Sequence, residues 1–285
     1  MLVDGNAYVH RAYHSIPLTQ NSNGTYVNAI IGFFGYLKKL RQTINPDYIA
    51  ICFDLPAKNF RHELYPEYKQ NRKKMPPKPG IHEQFPLIKR IIKQMGIRYV
   101  EQRGFEADDI IGTLTTMANE NLQAHIVSGD RDFMQLVNDH VFLYWTNPKG
   151  NIPYTRQMIK DQYGIEPYQF IDVKGLMGDK GDNIPGVTGI GPVFAFNLIR
   201  EYYSIDNLYY RIEDKDLDPK LKSFLIQQKD QCYLSRILGE IKKDLTDISL
   251  NCNKYKVFPI DEYNLSKTLE ELQLEYLKEE LIYGT

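Results

Sequence analysis

Short apolar runs ending on an acid alternate with stretches of helical period through the first half of the chain. Met1-Leu2-Val3 leads into Asp4-Gly5 and reads as a buried strand whose C-terminal end carries a carboxylate. Residues 48–53 repeat the pattern and end at Asp54, and residues 124–128 repeat it before Gly129-Asp130. Residues 98–100 and 141–145 supply two more strands. Between them, residues 27–44 space Ile30, Ile31, Phe34, Leu37 and Leu40 at helical intervals, and residues 81–95 do so with Phe85, Ile88, Ile91 and Ile92. Residues 106–119 predict a helix with acids in its first turn, where the helix dipole favours them. A short helix is predicted at 133–137. This alternation predicts an α/β fold with a mostly parallel central sheet flanked by helices. Ligand sites of such sheets gather beyond the C-terminal strand ends, where Asp4, Asp54 and Asp130 stand.

The second half reads differently. The pattern predicts helices at 155–163, 167–177, 192–202, 221–228 and 266–283, with no further strand and no clear period over 240–265. An α/β core over 1–153 followed by a helical region over 154–285 is the expected division. Within the core, residues 58–80 break the alternation. They are basic and aromatic, closed by Met75-Pro76-Pro77-Lys78-Pro79, and read as a protruding, partly helical segment.

The 285 residues suffice for a substantial core. No apolar run approaches the ~20 residues of a membrane helix, and the early Asp4 breaks any signal-peptide pattern. Cys52, Cys232 and Cys252 lie far apart with no Cys-x-x-Cys pair, which argues against a disulfide framework or a zinc cluster and fits a reducing compartment. A formal net charge of −1 excludes binding of nucleic acid by bulk charge. Lys69, Arg72, Lys73, Lys74 and Lys78 nevertheless fall in one stretch without an acid, enough for a local binding face.

The candidate chemistry is a set of acids at strand ends and loop starts: Asp4, Asp54, Glu106, Asp108, Asp109, Asp130, Asp132, Asp179 and Asp182. Taken singly, each is an ordinary cap or turn residue. Together, so many carboxylates would repel one another without cations, and all-oxygen ligands suit Mg²⁺ or Mn²⁺ better than zinc. Two such ions roughly 3.5–4 Å apart can clamp a scissile phosphate. Asp179 and Asp182 share a face if that stretch is helical. Directly after them, Pro185-Gly186-Val187-Thr188-Gly189-Ile190-Gly191 supplies glycines that let amides approach phosphates, with a helix N-terminus expected at Pro192. His10, His14, His62, His82, His125 and His140 show no metal-like pairing, and Ser128 has no triad around it. No Walker-type loop is present.

These stretches, in this order, resemble the 5′-nuclease (flap endonuclease) family: Val3-Asp4-Gly5-Asn6, Phe53-Asp54, Phe60-Arg61-His62-Glu63 with Tyr68 to Arg72, Gly104 to Asp109, Ser128 to Asp132, and Gly178 to Gly191. The likeness is closest to the N-terminal nuclease of bacterial DNA polymerase I. With no polymerase portion following, it is to the stand-alone 5′-3′ exonuclease. The resemblance implies a PIN-like fold with a helical arch over 58–80 and a helix–hairpin–helix-like turn within 176–200. It implies one metal site from Asp4, Asp54, Glu106 and Asp108 and a second from Asp130, Asp132, Asp179 and Asp182, with Asp130 able to serve both and Asp109 in a supporting place. Lys69, Arg72 and Arg11 would hold the scissile phosphate. Gly186, Gly189, Ile190, Gly191 and Pro192 would meet duplex DNA together with Lys73 and Lys74, without reading sequence. The carbonyls of Leu176, Met177, Pro185, Val187 and Ile190 match the positions that hold potassium. Relatives usually carry a lysine shortly after the last glycine, but Pro192-Val193-Phe194-Ala195 has none.

The implied activity is Mg²⁺- or Mn²⁺-dependent hydrolysis of DNA at 5′ ends, flaps or nicks near single-strand/duplex junctions. The implied setting is a monomer in the bacterial cytoplasm, acting at the nucleoid beside a separate DNA polymerase. A ribonuclease of the related small metal-dependent folds is the alternative, opposed by the glycine turn. A catalytically dead DNA-binding module is a third reading, opposed by the intact acid set. Tyr65, Tyr68 and Phe60 could either stack on bases or pack in the core.

Overall fold

A computed structural model describes residues 1–74, 79–147, 150–213 and 217–282, without the side chains of 73, 74, 146, 147 and 150–152. The chain begins with strand β1 (Leu2–Asp4), helix α1 (Gly5–Ser15), helix α2 (Asn28–Ile44) and strand β2 (Ala50–Cys52). Helix α3 (Phe60–Leu64) follows, then a 3-10 turn (Gln70–Lys74), α4 (Ile81–Gln94), β3 (Arg98–Val100), α5 (Ala107–Thr115) and β4 (Ala124–Ser128). A 3-10 helix (Arg131–Leu136) leads to β5 (Val141–Asn147) and β6 (Gly150–Tyr154). The rest is helical: α6 (Arg156–Tyr163), α7 (Phe170–Met177), α8 (Pro192–Tyr202), α9 (Ile205–Tyr210), α10 (Pro219–Gln227), α11 (Lys229–Gly239), α12 (Glu262–Leu272) and α13 (Leu277–Ile282).

The strands form one sheet in the order β3-β2-β1-β4-β5-β6, parallel except for β6 against β5. The strand order reverses between β1 and β4, so the open crevice of a parallel sheet falls there. Asp4 closes β1, and Asp130 lies two residues beyond β4. The five expected strands are all present, and the C-terminal location of Asp4, Asp54 and Asp130 follows from parallel pairing.

Alternation of side chains splits the core between the two faces of the sheet. Val3, Ile51, Phe53 and Val127 pack with α2 and α4 through Phe33, Phe34, Leu37, Ile88 and Ile91. Leu2, Ala50, Cys52 and Ile126 pack on the other face with Ile110, Ile111 and Leu114 of α5. A third cluster, with Leu176, Leu198, Ile199, Tyr202 and Leu225, holds the helical unit together. The chain then returns to the sheet. Ile241, Leu245 and Tyr255 join the α5 side, while Leu265, Leu269 and Leu281 join the α2–α4 side. By packing, residues 241–282 therefore belong with the sheet, whereas the sequence reading assigned everything beyond 154 to the helical region.

Several elements differ from expectation. Helix α1 follows β1 at once, started by the Asp4 carboxylate, whose Oδ1 accepts from the Ala7 amide at 3.0 Å. The expected helix over 266–283 is two helices, because Gln273 turns left-handed at φ 57° and ends α12. Asp179 and Asp182 are not helical. Gly178 leaves α7 at φ 68°, and Asp179 and Ile184 exchange backbone hydrogen bonds of 2.9 and 2.7 Å, which makes a tight loop. A side chain at Gly178 would meet Ile184 O at 2.4 Å, and one at Gly186 would meet Gly178 N at 2.3 Å. Only glycine admits that crossing.

One buried ion pair ties the pieces together. Arg61 of α3 makes a two-pronged pair with Asp109 of α5, at 2.7 and 2.8 Å. Its remaining donors reach Leu238 O at 2.9 Å and Glu240 O at 2.8 Å, where the helical unit rejoins the sheet. A second Asp109 contact, from the Lys242 amide at 2.9 Å, closes the same joint. Removing one member leaves an uncompensated buried charge, which costs about 3–5 kcal/mol. Asp109→Ala should therefore lower stability in urea unfolding by about that amount. Glu271→Ala, which breaks the exposed Arg90–Glu271 pair (2.9 Å), should cost no more than about 1 kcal/mol. Equal losses for the two variants would contradict the role given to the Arg61 joint.

Candidate metal and phosphate site

Asp4, Asp54, Glu106, Asp108, Asp130, Asp132, Asp179 and Asp182 come to one side of the sheet from five parts of the chain. β1 delivers Asp4, whose Oδ2 accepts from Ser128 Oγ at 2.8 Å. The Asp130 amide donates to the same hydroxyl at 3.1 Å, so Ser128 holds the two strand ends in register. Asp54 sits two residues past β2, and its Oδ1 accepts from the Ala107 amide at 2.7 Å, on the N-terminus of α5. Glu106 is the cap of that helix and Asp108 lies in its first turn. Asp130 caps the 3-10 helix through the Asp132 amide at 2.8 Å. Asp179 and Asp182 come from the glycine loop, where Asp179 Oδ1 accepts from the Gly181 amide at 2.7 Å.

The acids fall into two groups. Oxygens of Asp132, Asp179 and Asp182 lie within 4.8 Å of one another. Asp4, Asp54 and Glu106 are linked to Asp108 by their charges rather than by oxygens that close, and Asp130 acts electrostatically on Asp4, Asp108 and Asp132 alike. Burial, reinforced by Asp54 and Asp130, pushes the Asp4 carboxyl up to about 7. Burial, then Asp130, does the same to Asp132, also up to about 7. Burial and the surrounding acids raise Asp108 well above its ordinary range, and burial raises Asp54. These groups gain strongly from any added cation.

Side-chain cations already reach part of the site. Lys69 Nζ lies 2.6 Å from Glu106 Oε1 and 3.8 Å from Asp182 Oδ2. Arg72 pairs with Asp182. Burial works against the Glu106 charge, but Lys69 and Arg61 outweigh it and hold that carboxyl below its ordinary value. Lys69 takes this position with a left-handed backbone, φ 56°, its amide donating to Asp182 O at 2.9 Å. Two contacts were not anticipated from the sequence. Lys174 of α7 is buried and pairs with Asp132 and, at 3.0 Å, with Asp179. Tyr68 is also buried, and its hydroxyl lies between Glu106 Oε2 at 3.0 Å and Asp182 Oδ2 at 3.2 Å, with one proton for the two carboxylates.

The remaining sequence candidates do not contribute oxygens to the acid cluster. Asp109 is turned away from the acids. Arg61 occupies both its oxygens, so it orders the site from behind and has no lone pair directed at the cleft. Arg11 lies on α1 with its guanidinium 4.9 Å from the centre of the Tyr36 ring. Phe60 packs against Phe105, with Arg61 over its ring, and Tyr65 packs beside Tyr68. Core packing thus accounts for these aromatics. Lys73 and Lys74 continue the 3-10 turn, their side chains outside what is described, and Lys78 lies outside the described residues.

The glycine turn is built as expected, with α8 starting at Pro192. Its amides are not equally available. The Gly186 amide donates to Ser235 Oγ at 3.0 Å inside the protein, and the Ile190 amide donates to Val187 O at 3.1 Å. Both were expected to face DNA, and both are consumed by the fold. Gly189 and Gly191 remain exposed, whereas the Thr188 amide donates to Gln228 Oε1 at 2.9 Å and Pro192 has no N–H to offer. A cleft of about 1190 Å³ runs from Asp130, Asp132 and Asp179 to Gly189, Gly191 and Pro192. A smaller cavity of about 440 Å³ lies at the opposite end of the strands, beside Met1, Ala50 and Ala124, away from the acids.

Known proteins share this arrangement of sequence. The family model for the 5′-3′ exonuclease N-terminal resolvase-like domain matches residues 1–164, and that for the 5′-3′ exonuclease C-terminal SAM fold matches residues 165–263. DNA polymerase I of Bacillus caldotenax is 39% identical over 261 residues, covering 90% of this chain and 29% of that protein. A 5′-3′ exonuclease of Aquifex aeolicus is 34% identical over 281 residues, covering 98% of this chain and 94% of that one. The chain thus spans less than a third of the polymerase and nearly all of the exonuclease. Among solved structures, a bacteriophage T5 flap endonuclease variant in complex with DNA and metal ions superposes with a TM-score of 0.67 at 21% identity, covering 100% of this chain and 98% of that one. With family models matching residues 1–263 and a 5′-3′ exonuclease 34% identical over nearly its whole length, the chain belongs to the 5′-3′ exonuclease family.

Proposed function

We propose that the chain is a divalent-metal-dependent 5′ nuclease that hydrolyses DNA phosphodiesters near single-strand/duplex junctions. The observation that carries this reading is the meeting of Asp132, Asp179 and Asp182 within 4.8 Å at the end of a cleft that leads to an exposed glycine turn. The donor set is all oxygen, which suits magnesium or manganese. Asp132, Asp179 and Asp182 would hold one ion and Asp4, Asp54, Glu106 and Asp108 the other, with Asp130 between them. Such ions supply an activated water and stabilise the leaving oxygen. Family membership and the polymerase and exonuclease relatives support DNA as the substrate.

The chain's own groups have separable tasks. Lys69 and Arg72, now resting on Glu106 and Asp182, are on hand to hold the scissile phosphate and to offset the charge that grows on it. Lys174 draws Asp132 and Asp179 together: burial opposes the Asp179 charge, but Lys174 outweighs it and holds that carboxyl below its ordinary value, whereas at Asp132 its pull falls short of burial. The carbonyls of Leu176, Met177, Pro185, Val187 and Ile190 are assigned to a potassium ion that would stiffen the turn. Leu176 O and Val187 O each accept one amide, from Val187 and Ile190, which leaves each a second lone pair.

Asp179→Asn removes one ligand charge and keeps the side-chain shape. Cleavage of a 5′-flap duplex in Mg²⁺ should fall at least about a hundredfold, the scale on which a lost electrostatic group acts. Binding of the same duplex in Ca²⁺ should change little. Undiminished cleavage would remove Asp179 from the metal site.

Stability should also depend on pH in a definite direction. The folded, metal-free chain keeps protons on Asp4 and Asp132 up to about 7, whereas unfolded aspartates lose theirs near ~3.9. Between those values the native state binds more protons, so stability falls as pH rises. Glu106 and Asp179 are shifted downward, so their contribution is lost only at more acid pH. The Tm of the metal-free protein should therefore fall between about pH 5 and pH 8, and saturating Mg²⁺ or Mn²⁺ should raise Tm more at the higher pH. Equal metal-induced increments at both would contradict the acid cluster as the binding site.

A further inference from the structure

The turn before α8 exposes Gly189 and Gly191, and Gly191 offers no side chain to cap the first amides of the helix. Amides so placed can receive a phosphate. Yet the chain has no basic residue between Asn183 and Phe196. Val193 and Phe194, 73% and 58% exposed, occupy the first turn of α8 where a cation would reach a bound phosphate. Duplex affinity comes largely from cationic side chains that neutralise phosphates and release counterions, so amides alone would hold a duplex poorly.

Helix α10 brings a cation to the same place. A Cβ built on Gly189 would stand 3.6 Å from the Phe224 ring, in ordinary contact. Lys220, one helical turn earlier, holds its Nζ 6.0 Å from the centre of that ring. The end of α10 is fastened to the turn. Its C-cap Gln228 accepts at Oε1 from both the amide and the hydroxyl of Thr188 at 2.9 Å, and Gln231, on the following helix α11, donates to Gly186 O at 2.6 Å. Lys220 is therefore carried on an element locked to the turn. Lys222 on the same helix differs: its Nζ is paired with Glu213 at 2.5 Å.

We infer that Lys220 is a DNA-phosphate contact, supplying from α10 the positive charge that the glycine turn lacks and gripping the duplex arm that extends from Asp132 and Asp179 past Gly189. The assignment rests on the reading of the chain as a DNA nuclease and adds a specific anchor to it. Phe224 sets the distance of that anchor from the turn, and the grip is independent of base sequence because it engages phosphate alone.

The test is a salt titration of binding. Full-length wild type, Lys220→Ala and Lys222→Ala are titrated onto a fluorescent 5′-flap duplex in Ca²⁺ while sodium chloride is varied. Loss of one phosphate contact should make the slope of log Kd against log salt shallower by ~0.9 and weaken binding about three- to tenfold near 0.1 M salt. Lys222→Ala should follow wild type. If wild type binds and Lys220→Ala keeps the wild-type slope and affinity, the Lys220 assignment is wrong and the nuclease reading stands. If wild type itself fails to bind the duplex, both fall.

Discussion

Carboxylates gathered this closely repel one another, and the surrounding structure is arranged to withstand that repulsion. Two unit charges about 4 Å apart near a protein surface interact with roughly 4 kcal/mol, and Asp132, Asp179 and Asp182 bring oxygens within 4.8 Å of each other. The protein answers in two ways. Lys174, Lys69 and Arg72 place cations among the acids, while Asp4 and Asp132 shift toward neutrality until a stronger cation arrives. Four basic side chains, counting Arg61 beside Glu106, against eight carboxylates leave a deficit of positive charge, and that deficit is the chemical basis of the proposed metal binding.

The scaffold makes this costly arrangement possible. The strand order reverses between β1 and β4, so Asp4 and Asp130 leave the sheet side by side, and Ser128 bonds to both. The N-terminus of α5 brings Glu106 and Asp108 to them and offsets part of the charge on Asp54. Arg61 then fixes α5 to the segment that returns from the helical unit. That joint sets the distance between the acids and the glycine turn. The loop from Asp179 to Gly186 therefore both completes the acid cluster and measures the span of the cleft.

The parts legible in the sequence were those governed by local pattern. Parallel strands end on acids, so Asp4, Asp54 and Asp130 could be found from apolar runs alone, and Pro192 marked the start of α8. Elements that depend on distant partners were not legible. β6 escaped for a local reason: it is an edge strand, paired only with its neighbour β5, and it contains Pro153, which weakens a strand pattern. The apolar period ran on through Gln273, where the backbone breaks α12 from α13. Lys174 was not among the sequence candidates. Its signal was a lone basic residue in the mostly apolar run Phe170 to Met177, five residues before Asp179. Arg61 stood inside a recognised motif, but its partners at 109, 238 and 240 are far along the chain. The amides of Gly186 and Ile190 were lost to internal hydrogen bonds that no spacing rule reveals.

The central claim is that these acids form two adjacent cation sites. Crystals soaked in manganese, measured by anomalous scattering, test it most directly. The account predicts two peaks roughly 3.5–4 Å apart, one bounded by Asp132, Asp179 and Asp182 and the other by Asp4, Asp54, Glu106 and Asp108. Peaks confined to other parts of the surface, with Lys69 and Lys174 still paired to the acids and no ion between them, would contradict it.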